Sequence, residues 1–429
     1  MEKIVRNIFL YLILCAYKEK ESMAHHQFYT LSNGLRIIYQ PTVSTVSYCG
    51  FTVNAGTRDE FSGEFGMAHF VEHLIFKGTA HRRSWHILNR MENVGGELNA
   101  YTAKEETTVY AVFLEEHLSR AVELLCDLVL HSQFPAQEIE REVEVILDEI
   151  NSYKDNPAEL IYDEFENLLF SGHALGHNIL GEPEELLRFT SQDGRRFLRQ
   201  QYIPSNMVFF FMGHTPFKRV ISLLEKYIGG EPEGKGINHR VAPGGYTPFA
   251  ERRILDTFQA HALVGNRAYS MFDERRVPLF LLNNMLGGPG MNSRLNIALR
   301  EKTGCVYTVE SSVTSYTDTG VFAIYFGTDP KKVDRCLSLM HKEFRRLRDT
   351  ALSISQLAAV KKQFIGQMGV GTENRESMAL GLGKTFLHYN KYDTLEESFR
   401  RVEAVTASDL LEVANEILDE KSISTLVFV

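Results

Sequence analysis

The chain is organised around ten residues, His69-Phe70-Val71-Glu72-His73-Leu74-Ile75-Phe76-Lys77-Gly78. On a helix, with about 100° between successive residues, His69, Glu72 and His73 fall on one narrow face. The apolar residues among them spread over the opposite side. The pattern therefore predicts an amphipathic helix with an apolar back to bury and a His/Glu/His front to present.

The polar front has the residue types of a hydrolytic metal site. Two imidazoles one helical turn apart can bind a single metal ion, and a carboxylate beside them can deprotonate a metal-bound water. The alternative is two partly buried surface histidines on an ordinary amphipathic helix, since such a pentad arises by chance in roughly a few per cent of chains of this composition. The pentad alone favours the metal site.

Length and composition limit the classes of protein. The 429 residues fit two domains of about 200 residues better than one. A hydrophobic fraction of 44% supplies apolar mass for two cores, and a net charge of −9 argues against a nucleic-acid partner and against anionic membranes. The cysteines are odd in number, scattered and without a Cys-x-x-Cys pair, which indicates reduced, buried thiols: Cys15, Cys49, Cys126, Cys305 and Cys336.

The first 22 residues form an N-terminal extension of ambiguous character. Lys3 and Arg6 precede an apolar run at 8–17, which has the length of a signal-peptide core and is too short to span a bilayer. No small-x-small cleavage site follows, and Met23 opens a sequence typical of a natural start. The extension could be a signal peptide or an over-extended start, and we predict a cytoplasmic protein.

The first half of the chain alternates strand and helix patterns. Hairpin-like strands flank the turn Ser32-Asn33-Gly34, and a further strand pair follows Gly95-Gly96. The predicted strands lie at 28–31, 35–40, 43–53, 97–102, 107–112 and 207–212, and the predicted helices at 85–94 and 118–130 besides the helix of the pentad.

A longer helix, from about 136 to 153, carries the remaining candidate metal ligands. A zinc site that hydrolyses peptides commonly uses two histidines and one carboxylate, which leaves an open position for water. Spacing alone does not select that carboxylate, because six acids share this helix and a solvated charged face explains most of them. The six are Glu138, Glu140, Glu142, Glu144, Asp148 and Glu149.

The second half repeats the order of the first. Residues 229–250, rich in Gly and Pro, indicate a linker between a domain at 23–228 and a second domain at 251–429. Within the second domain, the pattern predicts strands at 261–265, 306–313, 320–326 and 424–429 and helices at 278–285, up to 300, 330–347 and from about 355. The helix that matches the pentad reads Phe280-Leu281-Leu282-Asn283-Asn284-Met285, without a histidine or an acid. One copy therefore carries the chemistry and the other supports it.

Together these motifs resemble the pitrilysin/insulinase family of zinc metallopeptidases from about residue 27 to the end. The His-x-x-Glu-His order is the inverzincin signature. Further matching stretches are Gly95 to Thr102, Arg141-Glu142-Val143, Ser293-Arg294-Leu295 and Leu299 to Tyr307. The length resembles the two-domain branch that includes bacterial processing-protease-like peptidases and the β subunit of the mitochondrial processing peptidase. The resemblance implies an α+β fold of two homologous tandem domains, each a mostly antiparallel sheet packed against helices, as in LuxS and pitrilysin.

The resemblance also implies roles for individual residues. His69, His73 and Glu149 would bind Zn²⁺, and Glu72 would be the general base that activates a zinc-bound water. Glu142 would orient a histidine ligand. From the inactive second domain, Arg300 and Tyr307 would position the substrate carbonyl and stabilise its oxyanion. Judged from the residues alone, Arg300 is a surface charge and Tyr307 a sheet-packing aromatic.

The resemblance further implies how a substrate binds. Asn99 and Ala100 match the family's substrate-binding edge strand, to which a peptide adds as an extra β-strand. A chain of this size supplies one half of the family's enclosed site, so we expect a homodimer. The loop Gly287-Gly288-Pro289-Gly290 resembles the glycine-rich loop of the mitochondrial enzyme's noncatalytic subunit, although here it shares a chain with an intact metal motif.

The sequence therefore predicts a zinc-dependent metalloendopeptidase that hydrolyses unfolded or extended peptides. Two alternatives use the same fold without catalysis: a structural subunit, and a peptide-binding or chaperone-like partner. Processing of targeting sequences and general peptide turnover would use the same site.

Overall fold

The computed structural model describes residues 26–255 and 257–429. The N-terminal extension at 1–22 and Cys15 lie outside the described residues. Cys49, Cys126, Cys305 and Cys336 are all buried and free, as the scattered spacing predicts. Within the described ranges no helix is long and apolar enough to cross a bilayer.

The first half of the chain builds a six-stranded sheet. Its spatial order is β1-β2-β6-β3-β5-β4, and β2 and β6 run parallel while every other neighbouring pair is antiparallel. The strands are β1 (Gln27–Thr30), β2 (Arg36–Pro41), β3 (Val46–Val53), β4 (Glu97–Thr102), β5 (Thr107–Leu114) and β6 (Met207–Gly213). The helices are α1 (Met67–Leu74), α2 (Ser84–Glu92), α3 (Leu118–His131), α4 (Ala136–Lys154), α5 (Pro157–Leu169), α6 (Pro183–Leu186), α7 (Ser191–Gln201) and α8 (Phe217–Tyr227).

The second half builds a five-stranded sheet with the order β7-β11-β8-β10-β9. Here β7 and β11 run parallel and the other pairs antiparallel. The strands are β7 (Ala250–Arg253), β8 (Ala260–Ala268), β9 (Val306–Ser315), β10 (Gly320–Thr328) and β11 (Ser424–Phe428). The helices are α9 (Arg276–Gly287), α10 (Val333–Asp349), α11 (Ile354–Gly371), α12 (Arg375–Tyr389), α13 (Leu395–Ala404) and α14 (Ala407–Ile417).

The two sheets share one topology, as the repeated sequence pattern predicts. Strands β2, β6, β3, β5 and β4 correspond in order and direction to β7, β11, β8, β10 and β9, and β1 is an addition to the first sheet. Both sheets pack against helices. The expected fold class, two similar α+β domains with mostly antiparallel sheets, is confirmed.

By their contacts, the residues group into two compact units that are not simply consecutive. The first unit holds residues up to Glu144, Pro183–Asn238 and Asn374–Tyr392. The second holds Val145–Glu182, His239–Glu373 and Asp393–Val429. The change at residues 238 and 239 falls inside the linker predicted at 229–250, where residues 231–249 have no regular secondary structure.

Helix α12 belongs to the first unit although it lies late in the sequence. Its apolar residues complete a core with β2, β5 and β6, in which Phe210 and Leu382 are fully buried. Lys384 and His388 pair with the buried carboxylate of Glu106. Burial opposes ionisation of Glu106, but the bonds from His388 and Lys384 outweigh it and lower its pKa to about 2.

The second unit has its own cores on its five-stranded sheet. One forms on α9, α10 and α14, and another on α5 against Phe428 and Val321. The helix predicted to run to Arg300 is instead a π-helical segment at Asn296–Glu301. Its wider turn is closed by the amide of Lys302, which donates to the carbonyl of Ile297 five residues earlier at 3.0 Å.

Candidate metal centre

Helix α1 begins in a left-handed turn that the local sequence is built to supply. Its first cap residue, Gly66, has φ +94°, a conformation that glycine adopts without a steric penalty. The buried carboxylate of Glu60 accepts hydrogen bonds from the amides of Gly66 (3.0 Å) and Ala68 (2.8 Å). A carboxylate at this end satisfies unpaired amides and interacts favourably with the helix dipole, so Glu60 fixes where α1 starts.

The two faces of α1 lie as the periodicity predicts. Phe70, Val71 and Leu74 are fully buried. On the other face His69 is 6% exposed, and Glu72 and His73 are half-buried. The rings of His69 and His73 lie 4.6 Å apart, centroid to centroid. The apolar back therefore anchors the helix, and the polar face keeps the three side chains adjacent.

A carboxylate from α4 joins the two histidines. One ligand atom each from His69, His73 and Glu149 lies within 4.8 Å of the others. The six acids of this helix differ in environment: Glu140, Glu144 and Asp148 are exposed, Glu138 and Glu149 are half-buried, and Glu142 is 7% exposed. Burial thus excludes the three exposed acids, and the position of a carboxylate oxygen beside both histidines selects Glu149 from the remaining three.

The buried environment keeps His69 neutral. Burial, with the neighbouring His73 adding to it, lowers the pKa of His69 to about 3. A neutral imidazole carries the lone pair that a metal ion requires. At neutral pH the His69 side chain is therefore in the protonation state of a ligand.

A second carboxylate on α4 contacts the back of His73. The Glu142 Oε2 atom lies 3.3 Å from His73 Nδ1, and Glu142 Oε1 lies 2.5 Å from the ammonium of Lys77. A histidine that donates one ring N–H to a carboxylate has its other ring nitrogen oriented for a metal. Glu142 therefore leaves Nε2 of His73 as the nitrogen available to an ion.

The donor set fits zinc. Two imidazoles and one carboxylate are a common three-ligand set for catalytic Zn²⁺, with bonds of about 2.0–2.2 Å. Around one tetrahedral ion such ligand atoms lie roughly 3.4 Å apart, which the grouping of the three side chains within 4.8 Å allows with small side-chain movements. His69, His73 and Glu149 can therefore hold the ion and leave a fourth position open.

The carboxylate of Glu72 lies on the same face of α1, near a buried phenol. Tyr202, just after α7, is 3% exposed. Burial raises the pKa of Tyr202, and the negative charge of Glu72 raises it further. Tyr202 thus stays protonated and gives Glu72 a neutral neighbour.

The residues predicted to bind substrate lie on an edge strand. Asn99 and Ala100 are on β4, which pairs with β5 alone among the described residues and so forms the edge of the first sheet. Helix α1 packs beside β4. The free side of β4 offers unpaired backbone groups to which a further strand can bond.

The two residues predicted to come from the second unit lie side by side. The guanidinium carbon of Arg300, on the π-helical segment, is 5.5 Å from the centroid of the Tyr307 ring. Tyr307 is the second residue of β9, the edge strand of its sheet, and is 79% exposed. It is therefore not packed into the sheet, and the action of both residues on a substrate stays a prediction.

Two residues of the site, Lys77 and Tyr202, have no signal in the sequence pattern. Lys77 lies beyond the end of α1, in the turn that follows Leu74, and its ammonium pairs there with Glu142. Tyr202 has no local signal, since it reaches Glu72 from 130 positions away. Neither residue is among the site residues predicted from the sequence.

Sequence comparisons match this chain to a family of peptidases. The family model described as Insulinase (Peptidase family M16) matches residues 36–183, and that described as Peptidase M16 inactive domain matches residues 188–364. An uncharacterised zinc protease of Bacillus subtilis (strain 168) is 32% identical over 91% of this chain and 95% of its own length. An uncharacterised zinc protease of Streptomyces coelicolor is 31% identical over 91% of this chain and 87% of its own length.

Solved structures share the fold. A protease from Helicobacter pylori matches with a TM-score of 0.85 at 21% identity, over 95% of this chain and 100% of that chain. A structure described as a peptidase M16 inactive domain, from Pseudomonas fluorescens, matches with a TM-score of 0.87 at 18% identity, over 94% and 97% of the two chains. The matched family models, the curated relatives and the His/His/Glu donor set lead to one conclusion: the chain belongs to peptidase family M16, the insulinase family of zinc proteases, and its cofactor is zinc.

Proposed function

We propose that this protein is an endopeptidase of the His-x-x-Glu-His type that hydrolyses unfolded or extended peptides. The observation that carries the proposal is the convergence of His69, His73 and Glu149, with Glu72 on the same helical face as the two histidines. These are the three ligands and the carboxylate base that metal-assisted peptide hydrolysis requires.

His69, His73 and Glu149 hold the ion. Zinc, when bound, supplies Lewis acidity, which makes a water a stronger nucleophile at neutral pH and polarises the scissile carbonyl. The burial of His69 keeps its imidazole neutral, and the contact of Glu142 with His73 Nδ1 fixes the orientation of that ring. Buried side chains thus hold the ligands in place before substrate binds.

Glu72 acts as the general base. It takes a proton from the attacking water as the new C–O bond forms, and it then gives that proton to the leaving amine as the C–N bond breaks. Tyr202 remains a neutral phenol in this environment, so it does not repel the negative charge of Glu72. Loss of the Glu72 carboxylate leaves the ligands in place and removes the proton transfer.

Substrate binds along β4 as an added strand. The free backbone groups of an edge strand pair with any extended peptide, so the main chain supplies affinity and side-chain pockets supply preference. Ala100 is small, which suits close approach of a second strand. A folded substrate presents no free extended segment, and therefore we expect unfolded chains and short peptides to be cleaved.

Arg300 and Tyr307 complete the chemistry as donors. A guanidinium and a phenol stabilise the negative charge that develops on the carbonyl oxygen. The adjacency of the two side chains and the exposure of Tyr307 leave both able to meet a ligand. The working form we propose is a homodimer, because a chain of this length supplies half of the family's enclosed site.

The test is hydrolysis of a quenched-fluorescence peptide by the purified chain, before and after 1,10-phenanthroline treatment and zinc restoration. Cleavage that chelator removes and zinc restores supports the endopeptidase. Absence of cleavage across a varied peptide library, with one zinc bound at the α1 and α4 ligands, contradicts the proposal and favours a noncatalytic structural or peptide-binding subunit.

A further inference from the structure

A second group of metal-ligating side chains lies in the first unit, on residues that the peptidase chemistry does not use. One ligand atom each from His81, Asp127 and His131 lies within 4.8 Å of the others. His81 is in the loop that follows α1, and Asp127 and His131 are four residues apart in the last turns of α3. We propose that these three residues form a second binding site for a zinc-class dication, independent of the site on α1 and α4.

The donor atoms are suited to such an ion. The His81 Nδ1 atom lies 2.6 Å from Asp127 Oδ1, and the rings of His81 and His131 meet edge-on with centroids 4.9 Å apart. Two imidazoles with one carboxylate favour zinc, copper or nickel over magnesium and calcium, which prefer oxygen ligands. An ion entering here replaces the His81–Asp127 hydrogen bond and needs only a small outward shift of the exposed His81 ring.

The backbone holds the loop against the end of α3. The amide of Ala80 donates to the carbonyl of His131 at 2.8 Å, and the amide of Gln133 donates to the carbonyl of Gly78 at 3.0 Å. Thr79 and Ser132 form an isolated β-bridge between the same two segments. The spacing between His81 and His131 is therefore set by main-chain bonds, so that little ordering remains when an ion binds.

The carboxylate is also held by neighbours on its other side. Asp127 is 4% exposed, and its Oδ2 atom accepts from Thr79 Oγ1 at 2.8 Å and from Arg82 Nη1 at 2.5 Å. Burial opposes ionisation of Asp127, but the bonds from His81, Arg82 and Thr79 outweigh it and lower its pKa. Oδ1 is thus the oxygen that contacts His81, and Oδ2 is the one held by neighbouring donors, as in an oriented metal-binding carboxylate.

The surrounding charges predict a weaker site than that on α1 and α4. Arg82 lies against Asp127 and also pairs with Glu123, which in turn pairs with Arg90. The two arginines and the two carboxylates balance in charge, so a bound dication adds net positive charge and is repelled by Arg82. His81 has a side chain 59% exposed, so solvent can complete the coordination of the ion. We expect a second, weaker binding event after the first site is filled.

Occupancy of this site would tie the exit of α1 to the end of α3. The connection from Leu74 to α2 contains Thr79, His81 and Arg82, and all three bond to Asp127. An ion that also recruits His131 adds a further link between the same segments. Its expected effect is a more stable fold, because a ligand that binds only the folded state raises the unfolding temperature.

The experiment uses the full chain, stripped of metal and then titrated with Zn²⁺, with bound metal measured by mass spectrometry after desalting. We expect two ions per chain in the wild type and one in His81→Ala and in His131→Ala. His86→Ala is the matched control, since this exposed histidine lies five residues from His81 and outside the group; it should keep two. Mg²⁺ in excess should not displace the second ion.

A second arm separates this site from the first by spectroscopy. In a His69→Ala/His73→Ala background, Co²⁺ should still bind once per chain with the visible absorption of an imidazole-ligated ion, and adding His131→Gln should remove that absorption. In the His69→Ala/His73→Ala background, zinc should raise the unfolding temperature, and adding His131→Gln should remove that rise. Without metal, the two proteins should have the same unfolding temperature.

Either of two results overturns the proposal: one ion per wild-type chain at saturating Zn²⁺, or a second ion retained with unchanged affinity in both single variants. These outcomes leave the peptidase assay untouched, so failure here is distinct from failure of the proposed function.

Discussion

Helices α1 and α9 are the corresponding helices of two sheets with the same strand order, and they use their polar residues differently. On α1, His69 and His73 converge with Glu149. On α9, Asn283 donates from Nδ2 to the carbonyl of Ser311 on β9 at 3.3 Å, and Ser311 Oγ donates to the carbonyl of Asn283 at 3.0 Å. One helix presents donors to a ligand, and the other bonds to its own sheet.

The approach of α9 to its edge strand shows the same difference. A Cβ added at Gly287 would lie 2.7 Å from Ser311 Oγ, so α9 lies directly on β9 there. The two units therefore share a scaffold, and function depends on a few side chains placed on one copy. The following changes would remove or sharpen this contrast, beginning with the largest expected effect.

Removing one metal ligand should leave α1, like α9, without a metal-binding function. His69→Ala and Glu149→Ala each leave two donors, too few to retain the ion, so we expect loss of zinc and of all peptide hydrolysis. Metal analysis of the purified variants tests this. Asp148→Ala, an exposed neighbour of Glu149 on the same helix, should keep both zinc and activity. Full zinc content in Glu149→Ala would remove that residue from the ligand set.

Glu72→Gln should separate binding from chemistry. The amide keeps the size of the side chain and cannot accept the water proton, so hydrolysis should fall by roughly 10²–10⁴-fold while one zinc stays bound. Steady-state kinetics and metal content of the same sample provide the measurement. Activity equal to the wild type would show that another group is the base.

Glu142→Gln should weaken the site without removing a ligand. The change reduces the hold on His73 Nδ1 and breaks the ion pair with Lys77, and such changes typically cost about 10–100-fold in metal affinity or activity. Competition with a chromophoric chelator measures zinc affinity. Glu144→Gln, exposed on the same helix, is the control, and equal affinities for the two variants would contradict the orienting role.

Asn283→Ala tests the other helix and should have the smallest effect. Losing the bond to the Ser311 carbonyl should lower the free energy of unfolding by about 1 kcal/mol. Zinc content and kcat should not change, because α9 holds no ligand. Urea unfolding followed by circular dichroism measures the first quantity. A loss of zinc in this variant would mean that α9 supports the site directly.

The sequence predicts the parts of this site that depend on local geometry. Helical periodicity places His69, Glu72 and His73 on one face, and the alternation of apolar residues locates every described strand except β7 within a few residues. The choice of Glu149 needed the family resemblance, because burial of Glu142 and Glu149 depends on what α4 packs against. The π-helical turn around Arg300 has no period that the sequence would show.

The sequence pattern does not predict contacts between residues that are far apart in the chain. The charge of Glu72 acts on Tyr202, and His81 contacts Asp127 and His131, because the chain folds back and not because of any repeat. The grouping of residues 145–182 with the second unit and of 374–392 with the first is of the same kind. Local propensity sets the elements, but which sheet a distant helix covers is decided by complementary surfaces.

The late position of α12 has a consequence for synthesis on the ribosome. The last strand of the first sheet ends at Gly213. The helix that covers Phe210 on the apolar face of this sheet, α12, ends only at Tyr389. At about 5–20 residues per second, a nascent chain would wait roughly 10–35 s between the two. During that interval the apolar face of the sheet is a binding surface for chaperones, and a transcript truncated before α12 would yield an aggregation-prone product.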